Sequence, residues 1–287
     1  WLKEKPKTGC KDMAGEFVQI AVYILLWYGL NVGYNIYNKD TLNAFPYPWT
    51  VGCLSLGSGL LYILPCWLLG VRKIPNLTDN DAKKIMAIAV LHTAGHYGAV
   101  ISMSAGAVSF THIVKAAEPV FTTILGGIIN GVWAPAVVNL TLVPVVAGVA
   151  LASMKELSFT WLAFMSAMAS NLAFSLRSIF MKKALADKED CKKKNLDSAN
   201  IYAVLTIFSF ILSIPLAMYF EGFKLKEEIG NLDQMQISKL NVITGLFYYL
   251  YNESASLALG KLNSVAHAVC NTVKRVVIMI AVNIYFN

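Results

Sequence analysis

Two adjacent cations, Lys274 and Arg275, stand in the middle of the apolar stretch SVAHAVCNTVKRVVIMIAVNIYF at residues 264–286. A stretch of this length can cross a bilayer as a helix, and a charge at that depth costs roughly 2.5–3.5 kcal/mol on insertion scales. An arginine fork binds two oxygens of a phosphate-like group, and a lysine supplies a compact point charge beside it. The direct use of such a pair is to hold an anion inside the membrane, and an intramembrane anion site points to transport. Neither residue has an acid within a turn on its own helix. Glu253 is the nearest intramembrane acid by depth, and it could neutralise one of the two cations but not both. A third cation, Lys115, lies in another apolar stretch. It can pair with Glu118 one turn away or meet the same anion, and the two uses are compatible. His96, between Gly95 and Gly98, offers a donor whose charge changes near neutral pH. Tyr251 offers a hydroxyl. Packing in the core is the alternative reading for both. Phe174 is a packing residue that could instead wall a cavity. His92, His112 and His267 read as structural, and Arg177 as a cation snorkelling toward the end of its helix. No nucleophile–base–acid arrangement, HExxH, phosphate loop or GxGxxG stands out, so no enzyme, metal or cofactor is expected.

These residues must be positioned by membrane helices. Of the residues, 56% are hydrophobic and 14% charged, and mean hydropathy is +0.55, against about 25% charged in soluble domains. Apolar runs near span length recur at 17–38, 48–70, 84–104, 107–129, 133–154, 158–181, 199–220, 239–260 and 264–286. Nothing between them is long enough for a separate soluble domain, so the expected fold is all-α, one polytopic helical bundle over residues 1–287. Pro119, Pro144 and Pro215 fall inside spans and are expected to kink them. Residues 1–16 should fray. The connector Asp187–Ser198 should be a mobile loop, and Glu221–Ser238 could carry a short amphipathic turn. The net charge of +7 belongs mostly to loops on the side that carries the N-terminus, called side A here. Side B holds only Lys39, Lys155, Lys224, Lys226 and Lys239. The positive-inside rule puts side A on the cytoplasm-like face, which is the interior in an organelle of bacterial descent. A nucleic-acid surface is excluded because no basic face alternates with exposed aromatics. The five cysteines are scattered without a CxxC pair, which argues against a disulfide framework or metal site. The chain opens on Trp1 without a visible signal peptide; a removed targeting segment or a trimmed chain would explain that. The sequon at Asn76 lies on side A and is discounted.

Two hairpins bring the polar residues to one level. Spans three and four turn near Gly106, and spans eight and nine turn near Gly260–Asn263, on opposite sides of the membrane. His96 and Lys115 each lie ~14 Å from the first turn, and Tyr251 and Lys274 each ~17 Å from the second. In a ~30 Å core both sets reach the midplane. Helices three and eight are an odd number of spans apart, so a five-plus-five repeat would be inverted, a common plan among secondary transporters. The halves would be residues 1–154 and 155–287, the second incomplete.

At these residues the chain resembles the plastid phosphate translocators of the drug/metabolite transporter superfamily. The matching segments are YNIYNKDTLNAFPYPW at 34–49, AVSFTHIVKAAEPVF at 107–121, SNLAFSLRSIFMKKAL at 170–185, YYLYNESAS at 248–256 and HAVCNTVKRVV at 267–277. The resemblance implies ten transmembrane helices in two inverted halves, in the plastid (chloroplast) inner envelope. It implies obligatory exchange of inorganic phosphate for phosphorylated compounds by alternating access. Carried over, it makes Lys115, Lys274 and Arg275 the phosphate-binding set and His96 and Tyr251 further substrate contacts. Lys39 matches a family lysine near the end of the first helix. Nine spans are visible where the family has ten, and the tenth is expected beyond the sequence given. The Gly-His at 95–96 resembles the triose-phosphate branch and favours triose phosphate and 3-phosphoglycerate, although the Thr-Ser-Asn that usually follows is replaced by Tyr-Gly-Ala.

Two other functions are weighed against this. A nucleotide-sugar transporter, or another sugar-phosphate or phosphoenolpyruvate exchanger, is the nearer one. The nucleotide-sugar case needs aromatic faces for a base, and no aromatic cluster is evident at the midplane level. A membrane-embedded phosphotransferase is more remote, because it needs a nucleophile, base or metal beside the cations.

Overall fold

The computed structural model describes residues 10–286 apart from 132, 134, 185, 229, 231, 232 and 263, with side chains undescribed at 10–14, 227–228, 259–260 and 264–269. Among the described residues all regular structure is helical. The long elements are α1 (Cys10–Ala44), α4 (Asp79–Ala105), α7 (Ala136–Lys155), α8 (Trp161–Ala184), α10 (Ser198–Glu228), α11 (Gln234–Lys261) and α12 (Ser264–Phe286). Two further rods are each made of two pieces: α2 (Pro48–Ser58) runs into α3 (Leu60–Leu68), and α5 (Val108–Lys115) into α6 (Glu118–Asn130). The nine apolar runs thus correspond to helices. Among the described residues six of these rods are long and apolar enough to cross a membrane; α8, α11 and α12 carry many of the polar residues discussed below.

Helix ends follow local chemistry. Thr78 and Asp81 form a reciprocal capping box at the start of α4, with Asp79 and Asp81 in its first turn, where the helix dipole favours negative charge. Asp233 accepts from the Met235 and Gln236 N–H groups to start α11. Pro144 and Pro215 lie inside α7 and α10, which are assigned as continuous helix through them. At Pro119 the chain goes further than a kink. The span breaks at residues 116–117, and proline sits in the first turn of α6, where its missing N–H leaves no bond unmade.

The polar connectors are more ordered than their composition suggests. Residues 188–193 form a short helix, α9 (Lys188–Lys193), capped by Asp187, whose carboxylate accepts from the Asp190 N–H. Leu196, 4% exposed, then enters a core with Tyr202, Leu205 and Tyr249. Lys194 pairs with Asp81 at 2.9 Å and with Asp190 at 2.6 Å. The mobile loop expected at 187–198 is therefore a fixed structure, because one buried leucine and a bridging lysine anchor it. Likewise α10 continues to Glu228, past the span end expected at 220. The buried Glu221 carboxylate accepts from the Trp49 and Thr50 N–H groups at the start of α2.

The most extensive packing joins α4 to α8 and α1 to α11, with α2 against α10 and α11. These pairs join elements on either side of the half boundary expected at 154/155. Close approach depends on small residues. A Cβ on Gly98 of α4 would stand 2.7 Å from the Ser166 carbonyl oxygen of α8, and one on Gly245 of α11 would stand 2.4 Å from Ser58 Cβ. By contrast α7 has no buried residues and presents Val137, Leu140 and Val143 outward, as a lipid-facing helix should. Gly245→Ala is expected to lower the melting temperature of the purified protein in detergent, at an overpacking cost on the order of 1–3 kcal/mol. Gly29→Ala, where a Cβ meets nothing within 4 Å, should leave it unchanged. Equal melting of the two variants would contradict this packing.

Candidate functional site

The break between α5 and α6 organises the site. Lys115 is the last residue of α5 and Glu118 the first of α6, so each charge sits at the helix end whose dipole favours it. The freed backbone is taken up by α8: Asn171 Nδ2 donates to the Val114 carbonyl at 2.9 Å, and Ser175 Oγ to the Glu118 carbonyl at 3.2 Å. Lys115 Nζ donates to Ser170 Oγ at 2.6 Å, which donates in turn to the Gly95 carbonyl at 2.7 Å. The ammonium also lies 4.7 Å from the centroid of Phe174, within cation–π range.

Successive helical residues diverge by about 100°, and Lys274 and Arg275 use this to reach different partners. Arg275 donates to the Glu118 carboxylate. Lys274 Nζ lies 4.8 Å from the ring of Trp27 on α1. Among the described residues no carboxylate oxygen comes within 4 Å of Lys115 or Lys274. The Glu118 alternative for Lys115 is thus not the contact formed: Glu118 goes to Arg275. Glu253 is also not the acid of this pair. It makes a two-pronged bond to Arg72 at 2.6 and 3.1 Å, on the face of α11 turned from the cavity.

His96, Lys115, Tyr251, Lys274 and Arg275 all line one cavity of about 160 Å³ at the centre of the bundle. His96 Nε2 lies 3.1 Å from the Gly52 carbonyl, and its ring 4.3 Å from that of Tyr248. Tyr251 packs between Tyr34 and Tyr248 at 5.3 and 5.6 Å. Phe174 is part of the wall. Lys39 is not: its ammonium donates to the Met103 and Gly106 carbonyls at 3.0 and 3.2 Å, tying α1 to the α4–α5 turn on side B. His112 lines the cavity and contacts Asn35 Oδ1 at 2.7 Å. His92 lies behind the wall, and the His267 side chain falls outside the described residues.

Sequence reading misses Arg177. It does not snorkel; it faces the same cavity, 4.9 Å from Phe174, with Nη1 2.9 Å from His92 Nδ1. A guanidinium only donates, so Nδ1 accepts, and Nε2 carries the proton toward the Tyr248 hydroxyl at 3.1 Å. His92 is thereby a neutral structural acceptor that holds Arg177 inward. Spacing hints at this, since Arg177 is three residues from Phe174 on one helix face. The expected lack of aromatics at this level is also corrected: Trp27, Tyr34, Phe174, Tyr248 and Tyr251 converge here from three helices, α1, α8 and α11. Trp27 and Phe174 face cations and the tyrosines pack on one another. Four cations therefore surround a small cavity whose lining includes one carboxylate, Glu118.

The sequence profile of the Triose-phosphate Transporter family matches residues 18–287. The chain is 37% identical over 281 residues to glucose-6-phosphate/phosphate translocator 1, chloroplastic, of Arabidopsis thaliana, covering 96% of this chain and 71% of that protein. It is 38% identical to phosphoenolpyruvate/phosphate translocator 3, chloroplastic, of Oryza sativa subsp. japonica, covering 94% and 69%. It is 40% identical to the triose phosphate/phosphate translocator, chloroplastic, of Pisum sativum, covering 90% and 63%. The chain thus spans about two thirds of the length of these relatives. It belongs to the triose-phosphate transporter family of polytopic membrane proteins, which are transporters and not enzymes.

Proposed function

We propose that the protein is an antiporter of the plastid inner envelope, exchanging inorganic phosphate for triose phosphate or 3-phosphoglycerate by obligatory counter-exchange. The observation that carries this reading is the central cavity, with four cations against one carboxylate around about 160 Å³. A phosphoryl dianion supplies the missing negative charge. Lys115, Lys274 and Arg275 bind it, while His96 and Tyr251 meet the carbon part of the substrate and Arg177 is placed to meet its carboxylate or hydroxyls. Phe174 serves as the aromatic platform beneath Lys115 and Arg177. The volume is close to that of an engineered ~150 Å³ cavity that holds benzene, which suits a three-carbon phosphate better than a nucleotide sugar. Relatives named for glucose-6-phosphate, phosphoenolpyruvate and triose phosphate have similar identities, 37–40%. The substrate is therefore read from the cavity volume and from the resemblance of Gly95-His96 to the triose-phosphate branch, not from overall identity.

Exchange follows from the same charge imbalance. Two like charges ~4 Å apart at an effective dielectric of ~20 repel by about 4 kcal/mol. Water screens this while the cavity is open, and occlusion removes that water. A bound dianion favours the occluded state over the open one, which is the differential affinity a conformational shift requires. The loaded protein then rocks its two inverted halves about the midplane, and the empty one stalls.

In liposomes loaded with phosphate, the reconstituted protein should take up labelled phosphate or triose phosphate rapidly; empty liposomes should not. Equal uptake into both would refute the electrostatic gate. Lys115→Gln, Lys274→Gln or Arg275→Gln should reduce exchange to near background in protein that still folds, and a well-folded Lys274→Gln/Arg275→Gln variant with normal uptake would end the binding assignment. In a competition panel, triose phosphate and 3-phosphoglycerate should outcompete glucose 6-phosphate, phosphoenolpyruvate and nucleotide sugars. His96→Ala should weaken the organic phosphates more than inorganic phosphate. Equal loss for all substrates would make His96 structural.

A further inference from the structure

Side A of the bundle carries a second concavity of about 900 Å³, wider than the central one. Arg72, Lys73, Lys182, Lys188 and Lys192 line it, against one acid among the described lining residues, Asp197. Arg72 is engaged by Glu253, and Lys73, Lys188 and Lys192 outnumber Asp197, so the lining is net positive. Lys188 and Lys192 stand one turn apart on α9, both exposed.

This basic wall is built, not merely displayed. The buried Asn200 donates to the Lys73 and Asn195 carbonyls at 2.9 and 2.8 Å, joining the two loops that form opposite walls. The Asn76 N–H donates to the Lys194 carbonyl at 2.9 Å. Leu196 and the Lys194–Asp81 pair fix α9 from below. Met181 and Ser198 line this concavity and the central cavity alike, so the two share a wall.

We propose that this vestibule is a docking site for phosphate monoester dianions, which collects them on side A before they pass Met181 and Ser198 into the central cavity. The proposal rests on the reading of that cavity as a phosphate-ester site. A cleft lined by one sign of charge with low-dielectric walls concentrates counter-ions and raises capture rates, an effect that falls steeply with salt. Lysine suits such capture, because a hydrated point charge attracts the anion without the two-pronged hold of arginine, so the anion can move on.

The test uses the full chain in phosphatidylcholine liposomes loaded with phosphate. Protein with side A outward is established by protease removal of an epitope tag added at the N-terminus, and labelled inorganic phosphate is the probe. Lys188→Gln/Lys192→Gln should lower kcat/KM for entry from side A on the order of tenfold at low salt, with the loss in KM. The gap should close near 1 M salt, where the Debye length is ~3 Å against ~30 Å at 0.01 M. Lys188→Arg/Lys192→Arg should restore capture. Lys224→Gln/Lys226→Gln, the same charge change on side B, should leave entry from side A unchanged. An unchanged KM, a loss that persists at high salt, or a loss seen only when anionic lipid is added would overturn the proposal; the last would assign the lysines to lipid headgroups. Absence of exchange in the unmodified protein would instead bring down the central-cavity reading.

Discussion

The structure depends on one constraint: positive charge is buried inside an apolar bundle with one carboxylate, Glu118, beside it among the described residues. Glu118 answers Arg275, while Lys115 and Lys274 are left to a serine hydroxyl and two aromatic faces. Such contacts tolerate an ammonium without satisfying its charge, since a cation–π contact contributes only ~0.5–2 kcal/mol. The proposed anion would supply the charge that these contacts leave unanswered. The break between α5 and α6 serves the same end, placing Lys115 at a negative helix terminus and Glu118 at a positive one, with the exposed backbone satisfied by α8.

The remaining elements hold this centre and close its ends. Gly98 lets α4 press on α8 so that Ser170 can reach both Lys115 and the Gly95 carbonyl. Lys39 and Glu221 tie side B, each by binding backbone groups at a helix end. Arg72–Glu253 and Lys194–Asp81 tie side A. Ties on both sides with a small cavity between them fit a carrier poised between two openings. Met181 and Ser198 mark the side on which a wide, basic space lies next to it.

Much of this is legible in the sequence because helix rise is fixed. Counting residues from two turns places His96, Lys115, Tyr251 and Lys274 at one level, and the structure brings them to one cavity. Depth says nothing about which way a residue faces. Tyr251 and Glu253 lie within two residues, yet about 200° of helical rotation turns one to the cavity and the other to Arg72. Arg177 reads as outward because its acceptor, His92, lies 85 residues away. The five aromatics of the wall come from three helices far apart in the chain, so no local pattern announces them. The 187–197 connector reads as solvated charge, and its order rests on Leu196 and on Asn200 reaching back to it. Family likeness supplies the phosphate chemistry, whereas spacing alone supplies only an anion.

The central claim is that the cavity holds uncompensated positive charge which a phosphate dianion completes. Thermal melting of the purified protein in detergent, with and without inorganic phosphate, tests it directly when the unmodified chain is compared with Lys274→Gln. A ligand at 100 times its dissociation constant stabilises by about 2.7 kcal/mol, so saturating phosphate should raise the melting temperature of the unmodified protein clearly. Lys274→Gln should melt at or above the unmodified protein when phosphate is absent, because an unpaired buried charge is gone, and should gain little when phosphate is added. A ligand-free variant that melts well below the unmodified protein, or one that keeps the full phosphate shift, would contradict the account.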